Sequence, residues 1–135
     1  MIRIVVPGSR PRKNARGTIV GRRRITPKAT IAWYLRLQKA VLDAISRKPE
    51  KLAKSGRWAL WVEVYEDEMR HLDVDVPCGD IDSTVSAVLD GLQPKQCGPW
   101  APLDDDARVV EMTVRKHYDK TNPRVEITLM EVEGG

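Results

Sequence analysis

The stretch Gly79-Asp80-Ile81-Asp82-Ser83-Thr84-Val85-Ser86-Ala87-Val88-Leu89-Asp90-Gly91-Leu92 carries two signals at once. Its apolar positions Ile81, Val85, Val88, Leu89 and Leu92 are spaced four, three, one and three, which is one face of a helix. Asp80 and Asp82 stand at its start, with Asp82 or Ser83 the expected N-cap. In an extended segment residues two apart point the same way, so the two carboxylates are expected to converge. Further along, Asp104-Asp105-Asp106 stands before a strand pattern. If that run folds back toward the pair, the product is an oxygen-only cluster of the kind that holds Mg²⁺.

Working outward, residues 2–6 read as a short apolar strand ended by Pro7-Gly8. A basic loop follows, then two short strand patterns at 18–20 and 24–26 that suggest a hairpin. Thr26-Pro27 supplies an N-cap and a first-turn proline for a long helix, and Pro49 marks its end. The helix carries Ile31, Tyr34, Leu35, Leu37, Val41, Leu42 and Ile45 at helical spacing. Residues 58–65 alternate as a half-buried strand, and 66–77 read as an acidic loop. Beyond the aspartates, 108–118 and 124–132 alternate as two further strands, with Lys120-Thr121-Asn122-Pro123 expected to join them as a hairpin. The economical arrangement is an α+β fold: a mixed or antiparallel sheet with two main helices on one face.

A chain of 135 residues is expected to form one domain, 1–135, with a core large enough to need no disulfide. Charge is distributed unevenly. From Met1 to Leu42 there are eleven Lys or Arg and no acid, whereas from Glu63 to Asp82 eight acids face Arg70. A basic half suits a phosphate backbone, with Arg10, Arg12, Lys13, Arg16, Arg22, Arg23 and Arg24 the expected DNA contacts. An acidic pocket suits a divalent ion. Cys78 and Cys97 lack the tight spacing of a zinc site and are expected to be reduced thiols of a cytoplasmic protein. No signal peptide and no membrane-spanning run is read in the sequence.

Mg²⁺-dependent phosphodiester hydrolysis needs carboxylates that fix the ion, which polarises the phosphate and acidifies a bound water. Aspartates at a helix start suit this, because the helix dipole favours the carboxylate form and can bind phosphate too. Taken singly, each acidic group also reads as a helix cap or a solvated turn. Together with the basic half they point to a metal-dependent nuclease.

The segments 80–92 and Leu103-Asp104-Asp105-Asp106-Ala107-Arg108-Val109 resemble the RusA family of Holliday junction resolvases. The opening strand, basic loop, first helix and closing strands also have family counterparts. The resemblance implies a homodimer that binds four-way or other branched DNA junctions and cuts two strands symmetrically with Mg²⁺, Mn²⁺ substituting, in recombination or repair. It implies Asp80, Asp82 and Asp106 as catalytic metal ligands, with Asp105 a neighbouring ligand. Two positions depart from the family pattern: Ser83 replaces Asn, and Ser86 replaces a catalytic Lys. Either another cation substitutes, Lys95 and Lys116 being the candidates, or the protein binds junctions with little or no cleavage. Asp73 and Asp75 repeat the two-residue spacing and are rival ligands. A stand-alone nuclease of this size also fits a phage-encoded role.

Overall fold

The computed structural model describes residues 1–10, 18–20, 23–25, 28–47 and 55–132. Its main sheet has four strands in the order β1 (Ile2–Pro7), β8 (Arg124–Glu131), β4 (Trp58–Glu66) and β7 (Val109–Tyr118). β8 is antiparallel to both β1 and β4, while β7 runs parallel to β4, so the sheet is mixed. β2 (Thr18–Val20) and β3 (Arg23–Ile25) form a separate antiparallel hairpin.

Alternation explains which face is covered. Ile2, Ile4 and Val6, then Leu60, Val62 and Val64, then Val125, Ile127 and Leu129 all point to the same side and are buried. Against them lie α1 (Lys28–Arg47), through Trp33, Leu37, Val41 and Ile45, and α2 (Ile81–Gly91), through Ala87 and Val88, with Leu92 just beyond it. Both main helices therefore pack on one face, giving the expected α+β architecture. A short α3 (Pro94–Cys97) and a 3-10 turn at Gly98–Trp100 lead to Leu103, whose N–H bonds the Leu92 carbonyl at 3.1 Å. No helix among the described residues is long and apolar enough to cross a membrane.

Four expectations need correction. The closing strands are not a hairpin, because β4 lies between β7 and β8. Residues 66–77 are not simply a loop: β5 (Met69–His71) and β6 (Asp75–Pro77) pair as a small hairpin. The stripe of α1 that faces the core runs through Trp33, while Ile31, Leu35 and Leu42 are exposed. The N-cap of α2 is Asp80, which puts Asp82 inside the first helical turn and not on an extended segment. The expected start of α1 at Thr26-Pro27 and its stop at Pro49 lie outside the described residues.

Candidate active site

The N-terminal turn of α2 is built unusually. Asp80 occupies the position where an aspartate normally accepts bonds from the helix N–H groups, yet its carboxylate makes no capping bond. The neighbouring hydroxyls do not cap either: Ser83 Oγ and Thr84 Oγ1 each donate to the Asp80 carbonyl at 3.1 Å. Asp82 accepts from the Ser83 N–H at 3.0 Å. Both acids are exposed, and an acid in the first turn favours the helix dipole. A capping-competent carboxylate left out of the cap is available for a ligand.

Below this turn lies a buried ion pair. Arg10 Nε donates to Glu66 Oε1 at 2.9 Å with both side chains essentially inaccessible. Arg10 Nη1 also reaches Ser83 Oγ at 3.3 Å. Gly79, at φ +91°, passes so close that an added Cβ would sit 1.8 Å from Arg10 Nη2. Lys116, half-buried on β7, donates its ammonium to the carbonyls of Pro77 at 2.9 Å and Gly79 at 2.7 Å.

The triple run sorts itself in a similar way. Arg108 holds Asp104 in a fork, which keeps that carboxyl below its usual range through the hydrogen bond and the adjacent charge. Asp105 caps the 3-10 turn Asp106–Arg108 by accepting from the Ala107 N–H at 2.9 Å. Asp106 is exposed, and while its carbonyl accepts from the Val109 N–H, its carboxylate makes no hydrogen bond or ion pair among the described residues. Of the rival acids, Asp75 pairs with His71, and Asp73 accepts from the Val74 N–H just as Asp82 accepts from the Ser83 N–H, but no helix follows Asp73.

The two acidic segments do not meet within one chain. Asp80 and Asp82 sit at the Glu66 end of β4, tied there by Arg10 and Lys116. Asp104–Asp106 sit at the other end, where Arg108 Nη1 contacts the Gly56 carbonyl and Val109 is paired with Trp58. At about 3.3 Å per residue, the length of β4 separates them by roughly 25 Å. Accordingly, no three His, Cys, Asp or Glu among the described residues are grouped to hold a metal ion. The expected folding-back of the second run is replaced by a strand that starts far from the first.

A family model described as endodeoxyribonuclease RusA matches residues 4–130. The chain belongs to the RusA family. It is therefore an endodeoxyribonuclease of the Holliday junction resolvase type, and branched DNA is the partner that its family binds. A search of curated proteins returns no match.

Of the expected DNA contacts in this RusA-family chain, Arg10 is buried, at 3% exposure, and faces Glu66. A guanidinium enclosed in that way has no phosphate-facing surface. Arg12, Lys13, Arg16 and Arg22 lie outside the described residues, and Arg23 and Arg24 fall on β3. Lys95 lies exposed on α3, away from the aspartate turn, whereas Lys116 bonds the turn itself. Ser86 is half-buried in α2 and supplies no charge. The Cys97 thiol donates to the Gly91 carbonyl at 3.1 Å, and burial pushes its pKa up to about 11. His117 pairs with Glu63 and stacks on Tyr65, on the sheet face opposite the helices.

Sequence reasoning missed the role of Glu66, although a signal was present. Trp58, Leu60, Val62 and Val64 establish the buried parity of β4, and Glu66 continues it. A carboxylate at a core position requires a buried cationic partner.

Proposed function

We propose that the chain is a Mg²⁺-dependent endonuclease acting as a homodimer on four-way or other branched DNA. Each metal centre takes Asp80 and Asp82 from one protomer and the partner's Asp106, with Asp105 beside it. The observation that carries this reading is the separation of the acids. Oxygen ligands of one Mg²⁺ lie about 3 Å apart, whereas these carboxylates stand at opposite ends of β4 in one chain. Two copies related by a two-fold axis can bring the Asp80 end of each against the Asp106 end of the other, giving two equivalent sites and hence symmetric cuts.

The donor set fits the ion: carboxylate oxygens only, two of them on carboxylates that neither cap nor pair. When bound, Mg²⁺ or Mn²⁺ supplies Lewis-acid polarisation of the phosphate and a water of lowered pKa. The protein's own contribution is to hold Asp80 and Asp82 at the start of α2, whose N-terminal dipole favours the scissile phosphate. Arg12, Lys13, Arg16, Arg22, Arg23 and Arg24 track the flanking backbone, which makes binding strongly salt-dependent. Such an activity serves recombination or repair in the cytoplasm.

The test is subunit complementation on a synthetic four-way junction. Asp82→Asn and Asp106→Asn homodimers should each fail to cut with Mg²⁺. Unfolded and refolded together, they should recover nicking from roughly a quarter of the wild-type site concentration, since half of the dimers are mixed and each carries one intact site. No recovery from a mixture that forms dimers would place all ligands in one chain and sink the shared site. Wild-type protein that binds the junction but never cuts it would favour the non-catalytic binder, the reading that Ser86 invites.

A further inference from the structure

Residues 77–83 are gripped by two cationic side chains that reach them from distant parts of the chain. Arg10 comes from the end of the β1 segment, and Lys116 comes from β7. We propose that Arg10 and Lys116 are positioning residues of the metal site, fixing the backbone that presents Asp80 and Asp82 before ion or DNA arrives. This rests on the reading of those aspartates as metal ligands.

Three observations converge. First, the Arg10 side chain is enclosed, in contact with Glu66 and Ser83. A buried ion pair costs desolvation that apolar residues would avoid, so its location directly under the aspartate turn calls for a reason of its own. Second, Gly79 has the positive φ and missing Cβ that allow the turn to lie flat on the guanidinium. Third, Lys116 donates to two carbonyls, Pro77 and Gly79, on either side of Cys78. An ammonium has three donors, and placing two on carbonyls two residues apart fixes the backbone just before Asp80. The same half-buried ammonium adds positive charge beside the turn, at the end of α2 where Ser86 adds none.

The arrangement also gives the first arginine of the basic segment a task different from that of its neighbours. Arg10 anchors the end of the described segment 1–10 to the aspartate turn.

The experiment uses full-length dimer carrying Lys116→Met, Lys116→Arg, or the paired change Arg10→Met with Glu66→Leu. The paired change removes both buried charges together and so keeps the core apolar and folded; Lys116→Met leaves that ion pair untouched. Hydrogen–deuterium exchange of metal-free protein is measured across residues 79–84, alongside the Mg²⁺ dependence of junction cleavage and junction affinity in EDTA. The expected result is at least tenfold faster exchange in that segment and at least a tenfold higher half-saturating Mg²⁺ for Lys116→Met and for the paired variant. Junction affinity should stay within twofold of wild type, and Lys116→Arg should recover most of the loss. Unchanged exchange with unchanged Mg²⁺ requirement overturns the proposal. So does a loss of junction affinity without a change in Mg²⁺ requirement, which would make these residues DNA contacts. If wild type shows no metal-dependent cleavage, the nuclease reading fails, while the exchange measurement still decides whether the two cations hold the turn.

Discussion

Replacing Gly79 with alanine is a sharp test of how the aspartate turn is held. At φ +91° a Cβ costs about 1–2 kcal/mol of backbone strain by itself. The added carbon would also lie 1.8 Å from Arg10 Nη2 and 2.8 Å from Cζ. A carbon–nitrogen contact settles at about 3.5 Å, so the guanidinium must retreat by roughly 1.7 Å. That retreat breaks a 2.9 Å bond to Glu66 where neither side chain sees solvent. Breaking a buried pair costs about 3–5 kcal/mol, so Gly79→Ala should lose roughly 4–7 kcal/mol in all. Gly98 is the control: it too has positive φ, at +61°, but a Cβ there meets nothing within 4 Å. Gly98→Ala should therefore lose only the backbone strain, about 1–3 kcal/mol at its ψ of −142°.

Urea unfolding of the two variants measures the difference. With a slope near 2 kcal/mol per molar, the Gly79→Ala midpoint should fall by roughly 2–3.5 M and the Gly98→Ala midpoint by about 0.5–1.5 M. In the background of Arg10→Met with Glu66→Leu, where the obstacle is gone, Gly79→Ala should shrink to the strain cost alone. Equal shifts for the two glycines, or an undiminished loss in that background, would refute the contact between the turn and the buried arginine.

Other consequences are simpler to check. Leu60→Ala, at a fully buried site in the sheet centre, should cost about 3–4 kcal/mol in the same unfolding assay. Cys97, with its pKa raised to about 11 by burial, should react with iodoacetamide at pH 8 far more slowly than a free thiol, since its thiolate fraction there is about 0.1%. The Asp104 carboxyl is lowered in the folded state by its hydrogen bond to Arg108. Its stabilising contribution is thus present above the unfolded value of 3.8 and lost as pH falls through the lower folded value. Asp104→Asn should weaken the protein at neutral pH and make no difference at the acid extreme, as read by urea midpoints across pH.

Much of the fold was legible because strand alternation and helix spacing are local. β1, β4 and β8 bury every second residue, and α2 declares its apolar face within eleven residues. Strand order was not legible. A five-residue connection after Tyr118 suggests a hairpin, but β8 is the strand whose Val125, Ile127 and Leu129 are fully buried, and it lies between β1 and β4. β7 leaves Val110 and Met112 exposed and occupies an edge. Nor could the sequence choose among the apolar residues of α1, which point to more than one side; only packing against β1 selects Trp33 over Ile31 and Leu35.

The site was legible in its parts and misread in their relation. Each acidic segment was found by local signals, and the structure adds a local reason to single out Asp80 and Asp106: neighbours cap or pair, and these two do neither. Their convergence depended on the second run folding back toward the pair, and within one chain it does not. α2 begins at the Glu66 end of β4 and its chain returns through Leu92 and Leu103, so the next acids emerge at the Gly56 end. The connecting segment 92–108 stays beside the end of α2, where the Leu103 N–H bonds the Leu92 carbonyl, so β7 starts on that side of the sheet. Acids that flank such a unit at both ends are as far apart as the unit is long, and that separation is the ground on which the proposed sharing of ligands between two copies rests.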